Sequence, residues 1–128
     1  MPSPSSFGPR RLIGDIGEDL AARHLRERGW RIVARNWRTG DGTLRGELDL
    51  VAVKGEVLAF VEVKTRRGDG YGGPLAAVTP AKQAKIRALG YAYLRRLDGM
   101  APVVRFDVIA VWLRSGQQPE IRHLPGVF

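Results

Sequence analysis

Three residues in the middle of the chain, Asp49, Glu62 and Lys64, have types and spacing that could do chemistry. They lie in Gly46–Arg66, GELDLVAVKGEVLAFVEVKTR. Glu47, Asp49, Val51 and Val53 alternate with Leu48, Leu50 and Ala52. Leu58, Phe60, Glu62 and Lys64 alternate with Ala59, Val61 and Val63. Period two in β-branched and aromatic residues predicts two strands, the second apolar on both faces, as in a strand covered on both sides. Gly55–Glu56 suits a two-residue type II′ turn. Lys54 then pairs with Val57, which sets Asp49 opposite Glu62 and Glu47 opposite Lys64. Opposed Cβ atoms stand about 4.5–5.5 Å apart, and two carboxylates that close repel by about 3–4 kcal/mol at an effective dielectric near 20. A raised pKa, the neighbouring Lys64 or a bound divalent cation must offset that repulsion. A three-residue turn would shift the pairing by one and remove it. Charge pairs on a solvated sheet edge would use the same letters, but these charges end an otherwise apolar strand, where an ionised group needs a reason to be tolerated.

Asp49 followed by Glu62-Val63-Lys64 resembles the D…(D/E)-x-K core of the PD-(D/E)XK nuclease superfamily. The wider wording, GEDLAARHLRERGWRIVARNWR, RGELDLVAV, FVEVKTR and RFDVIAV in that order, resembles the YraN family. That family is described as predicted endonucleases distantly similar to archaeal Holliday-junction resolvases. The likeness runs from about residue 12 to residue 124. It implies an α/β fold with a restriction-endonuclease-like core, and a metal-dependent DNA endonuclease acting on branched or junction DNA. It further implies Mg²⁺ or Mn²⁺ held by Asp49, Glu62 and the carbonyl of Val63. Glu18 would reach that site from a helix, and Lys64 would position or deprotonate the attacking water. The alternatives are a nucleic-acid-binding module that keeps the fold without turnover, and a small basic scaffold for protein partners.

The remaining elements must position these groups. From about Leu12 to Arg28 the chain reads as a helix with an inward stripe of Ile13, Ile16, Leu20, Ala21 and His24, ending at Gly29. Glu18 sits beside that stripe, either as the last member of an Asp15-x-x-Glu18 capping box or as the extra acid. Gly14 and Gly17 weaken the helix but allow a close approach to a sheet. Trp30–Arg38 predicts a strand with Trp30, Ile32 and Ala34 on one side, and Thr39–Thr43 a turn. Arg31, Arg35, Arg38 and Arg45 would make a phosphate-binding rim. Arg67–Val78 is a glycine-rich loop with Tyr71 at its centre as a base-stacking candidate. Thr79 and Pro80 start a second helix, running to about Arg96. Its buried stripe is Ile86, Leu89, Gly90, Tyr93, Leu94 and Leu97; Lys82 faces solvent or phosphate, and Gln83 points back toward the carboxylates. Val103–Leu113 is a further strand in which Arg105 and Asp107 share a face and suit a structural ion pair or hydrogen-bond role, and Glu120–Leu124 a short edge strand. The order α-β-β-β-α-β(-β) predicts a mixed sheet with helices packed on it. Arg45, Arg66, Tyr71, Lys82 and Gln83 are the expected nucleic-acid contacts.

At 128 residues the chain suits one domain over 12–128, after a Pro/Ser-rich tail over 1–11 expected to be disordered. Its net charge of +8 and pI near 10.8 are the electrostatic footprint of a nucleic-acid binder. Anionic membrane is a poorer partner, because no helix is both basic and strongly apolar on one side. The absence of cysteine excludes disulfides and thiolate metal sites and fits a cytoplasmic, reducing setting. There is no Ser/His/Asp or Cys/His arrangement, and His24 and His123 show no zinc-like spacing. One active site per chain suits a homodimer for cutting two strands.

Overall fold

The computed structural model describes residues 9–68, 78–98 and 102–128. The elements are α1 (Pro9–Glu27), β1 (Arg31–Trp37), β2 (Leu48–Lys54), β3 (Val57–Arg67), α2 (Pro80–Leu94), β4 (Val103–Leu113) and β5 (Glu120–Leu124). The strands form one mixed sheet in the order β1-β2-β3-β4-β5, with β3 and β4 parallel and the other neighbours antiparallel. The expected mixed α/β order is therefore found. No helix among the described residues is long and apolar enough to cross a membrane.

Among the described residues, each face of the sheet is covered by one helix. Ala21, Ala22 and Leu25 of α1 pack on Leu50, Ala52, Ala59, Val61, Ile109 and Val111. Ile86, Leu89 and Tyr93 of α2 pack on Val51, Leu58, Phe60, Phe106 and Val108. The central β3 is buried on both sides through Val63, as its two-sided apolar pattern predicts. Thr79 caps α2, its Oγ1 accepting from Lys82 N at 3.2 Å, with Pro80 in the first turn.

Four expectations need correction. Helix α1 begins at Pro9 rather than near Leu12, so the last residues assigned to the tail, 9–11, form its opening turn; residues 1–8 lie outside the described residues. Asp15 is then inside the helix, and the capping box does not exist. The inward stripe of α1 is rotated: Gly17, Ala21, Ala22 and Leu25 are buried, whereas Ile16 is 40% exposed. Small residues win that face because they let the helix sit down on β3; a Cβ on Gly17 would overlap Thr65 Oγ1 and lie 2.8 Å from Thr65 Cβ. In β1 the pairing register slips between Ile32 and Ala34. Trp30 and Ile32 thus join the α1 side, but Ala34 and Trp37 join the α2 side. The two histidines, whose spacing does not suggest zinc, are neighbours in the fold, their rings edge to face with centroids 6.5 Å apart.

Asp107 accounts for that last contact. It is fully buried and accepts from Arg105 Nε and Nη2, each at 2.9 Å, and from Gly126 N at 2.9 Å, with His123 Nε2 2.7 Å from Oδ2. Burial pushes its pKa up, but His123, Arg105 and Gly126 outweigh that and hold it below the ordinary carboxylate value. The expected ion pair is a pin that ties β4 to β5 and the C-terminal residues.

Candidate metal centre

The centre starts from a turn. Gly55 has φ 59° while Glu56 stays at negative φ, the pattern of a two-residue loop with glycine first. Lys54 pairs with Val57, and the register runs back through Val51↔Phe60 to Leu50↔Val61. One step further places Asp49 opposite Glu62. There the regular ladder stops, and Val63 N–H donates to Asp49 Oδ2 at 2.8 Å. Leu48 joins the α2-side core although Leu50 belongs to the α1 side, so the strand rotates at Asp49. The expected pairing of Glu47 with Lys64 is lost in that rotation.

Glu47 turns instead toward β1. Asn36, in the left-handed region at φ 53°, donates from Nδ2 to Glu47 Oε1 at 3.0 Å and to Glu18 Oε1 and Oε2 at 3.0 and 3.2 Å. Asn tolerates this conformation better than most residues. Arg38 Nε holds Glu47 Oε2 at 3.1 Å, and Arg35 Nε holds Glu18 Oε1 at 3.3 Å. These two arginines, expected at a phosphate rim, are engaged by carboxylates. Ligand oxygens of Glu18, Glu47 and Asp49 all lie within 4.8 Å of one another. Glu18, Asp49, Glu62, Val63 and Lys64 line one cavity of about 460 Å³.

Glu62 is only 6% exposed and is neutralised from the opposite helix, with Lys82 Nζ 2.8 Å from its Oε1. Gln83, expected to reach the carboxylates, donates its Nε2 to Val78 O at 3.1 Å and stays within its own turn. Arg45 is exposed and Arg66 half-buried at the end of β3. Tyr71 lies outside the described residues, as does most of its loop. The structure thus gathers Glu18, Asp49, Glu62, Val63 and Lys64 around one cavity. It adds three groups that the sequence reading did not place there: Glu47, Asn36 and Lys82. Glu47 had a signal, since it stands two residues before Asp49 in the alternating sequence; nothing local marked Asn36.

The electrostatics follow from burial and crowding. Desolvation, then the charge of Glu62, raise the Asp49 pKa to about 8 against the Val63 N–H bond. Burial likewise holds Glu18 above its ordinary value, despite Asn36 and Arg35. Lys64 is held below its ordinary value by burial and by the Lys82 ammonium beside it. Burial also opposes the charge of Lys82, but its bonds to Glu62 and Lys64 and the pull of Glu62 and Asp49 outweigh that and raise it. The donor set is hard carboxylate oxygen without sulfur, which suits Mg²⁺ or Mn²⁺.

One consequence concerns pH. The folded chain keeps a proton on Asp49 up to about pH 8, whereas the unfolded chain releases it near pH 4. The unfolded state therefore binds fewer protons, and this contribution to stability, full below about pH 4, is lost as the pH rises toward 8. The slope is at most about 1.4 kcal/mol per pH unit. Thermal denaturation in chelator at pH 5 and pH 8 should show a smaller loss for Asp49→Asn than for wild type. Equal losses would mean that Asp49 carries no such proton.

Residues 17–111 match the family described as Uncharacterised protein family UPF0102. A UPF0102 protein of Rhodococcus opacus (strain B4) is 50% identical over 116 residues, covering 91% of this chain and 95% of its own length. One from Nocardia farcinica (strain IFM 10152) is 49% identical over 121 residues, covering 94% and 92%. One from Geobacter sulfurreducens (strain ATCC 51573 / DSM 12127 / PCA) is 43% identical over 128 residues, covering 100% and 97%. The matched span takes in every residue of the centre, from Glu18 to Lys82.

Proposed function

Because the chain belongs to the UPF0102 family, a family whose name states no activity, we propose its function from the acidic centre: a metal-dependent endonuclease that hydrolyses phosphodiester bonds of DNA, with branched DNA as substrate. On this reading the fold is a restriction-endonuclease-like core. The observation that carries the proposal is one cavity lined by Glu18, Asp49, Glu62 and Lys64, with Glu47 closing a group of three carboxylates within 4.8 Å.

Asp49, Glu18 and Glu47 would hold the ion, and Glu62, which lines both neighbouring cavities together with Asp49, would be a further carboxylate donor. Bound there, a divalent cation supplies the charge that offsets the negative charge developing on the phosphate. Asn36 keeps Glu18 and Glu47 converged, and Val63 N–H pins the Asp49 carboxylate to β3 through Oδ2. To hold the ion Asp49 would have to release its proton, so affinity should rise with pH toward 8. Lys64 is the one amine in the cavity whose pKa is lowered. Its Nζ is suited to take a proton from the attacking water or to face the developing charge. The net charge of +8, with Lys82 at the centre and Arg45 and Arg66 on the chain flanking β2 and in β3, grips the backbone without reading sequence.

The test is cleavage of duplex, flap and four-way-junction DNA with Mg²⁺ or Mn²⁺, with Asp49→Ala as control. Metal-dependent cutting by wild type alone is the expected result; binding without cutting under any divalent ion would make this a binding module. A thermal scan gives a second check. Mn²⁺ should raise the melting temperature of wild type by mass action and leave Asp49→Asn unmoved; identical responses would place the ion elsewhere. DNA affinity should fall with salt at a log–log slope of about −0.9 per phosphate neutralised. A flat dependence would point to a protein partner instead.

A further inference from the structure

Glu62 is the most deeply buried carboxylate of the centre, and the cation that neutralises it belongs to the chain itself. Lys82 sits in the first turn of α2, its backbone N–H fixed by the Thr79 cap. Its ammonium reaches Glu62 Oε1 at 2.8 Å, and its side chain is still 36% exposed. A second cavity, of about 220 Å³, is lined by Glu47, Asp49, Glu62 and Lys82 together. The ammonium thus shares a space with the carboxylates that a divalent ion would need. From the other side, Glu18 reaches the same carboxylates from α1. A fixed helix end, a long flexible stem and an open route to solvent let Lys82 leave without unfolding anything.

We propose that Lys82 is a built-in placeholder for the metal ion: it holds Glu62 while no divalent ion is bound, and swings out to a DNA phosphate when one is. This rests on the metal-dependent reading above and adds a coupling to it. A monovalent and a divalent cation in one small cavity repel, so metal uptake releases the ammonium. The released ammonium gains a phosphate oxygen as its new partner. By linkage, metal then strengthens DNA binding, and DNA strengthens metal binding by the same factor.

Two measurements on the full chain test this without reading activity. In the first, Mn²⁺ affinity is measured by electron paramagnetic resonance, without DNA, for wild type, Lys82→Met and Lys82→Arg. Lys82→Met should bind Mn²⁺ roughly tenfold tighter, because it loses a competing charge of modest strength. Lys82→Arg, which keeps the charge, should bind as wild type does. In the second, amine acetylation of wild type is followed by mass spectrometry, which needs no variant to fold. Lys82 should be protected in chelator and should react several-fold faster with saturating Mg²⁺. A Met variant with unchanged or weaker Mn²⁺ affinity, or a Lys82 whose reactivity ignores Mg²⁺ that the protein demonstrably binds, would overturn the placeholder and leave the metal centre standing. A wild type that takes up no divalent ion would overturn both.

Discussion

On the proposed nuclease reading, Lys64→Ala should leave the protein folded and remove DNA cleavage. Lys64 is half-buried at the end of β3, and among the described residues no carboxylate stands within ion-pair distance of it. Among the neighbouring charges, that of another lysine, Lys82, weighs most on it. Truncation therefore strands no buried partner, and the thermal transition should stay within a few degrees, given that about 1 kcal/mol moves a domain of this size by roughly 3–6 °C. DNA affinity should drop only modestly, since one phosphate contact of several is lost. Cleavage should fall by on the order of 10²-fold or more, the scale of removing a proton-transfer or charge-stabilising group. A variant that cuts like wild type would show that the activity arises at another site.

Two glycines of one helix should respond in opposite directions to the same substitution. Gly14→Ala adds a methyl with nothing within 4 Å, so the usual helix gain of about 0.8–1 kcal/mol should appear as a higher melting temperature. Gly17→Ala drives its methyl into Thr65, with Oγ1 overlapped and Cβ at 2.8 Å. Rotating the threonine cannot clear its own Cβ, so α1 must lift from β3. The net loss should be about 1–3 kcal/mol, the range for overpacking, or on the order of 5 °C or more. Because Glu18 follows Gly17 directly, the same lift withdraws it from Asp49, and Mn²⁺ stabilisation should weaken as well. Thr65→Ala in the Gly17→Ala background should recover part of both losses. A Gly17→Ala protein as stable as wild type would mean that the helix does not sit this close.

The local features were legible because each is decided by a few adjacent residues. Gly55 at the first turn position set the hairpin register, and the register alone carried Asp49 to Glu62. Thr79 and Pro80 marked the start of α2, and Val103–Leu113 and Glu120–Leu124 appear as strands at the expected bounds. The Arg105–Asp107 pair followed from two charges on one face of an apolar strand.

What the tertiary structure decided lies where two elements compete for one position. Periodicity gave α1 an apolar stripe of large residues, but closest packing on β3 chose Gly17, Ala21 and Leu25, because contact depth depends on the partner surface. That rotation is what aims Glu18 at the sheet end. The slip after Ile32 turns Arg35 and Asn36 toward α1, and no residue in WRIVARNWR announces it, since Val33 is an ordinary strand residue. Glu47 left Lys64 for Asn36 and Arg38 because the ladder ends at Leu50↔Val61, where the Asp49 side chain takes the next N–H. Lys82 rather than Gln83 reached Glu62 because the deeply buried carboxylate needs a charge, while the amide could be satisfied within its own turn. Sequence thus determined which strands pair and which acids meet across them. Packing depth and the demand of buried charge for a counter-charge, both set by groups remote in the chain, determined which other side chains complete the centre.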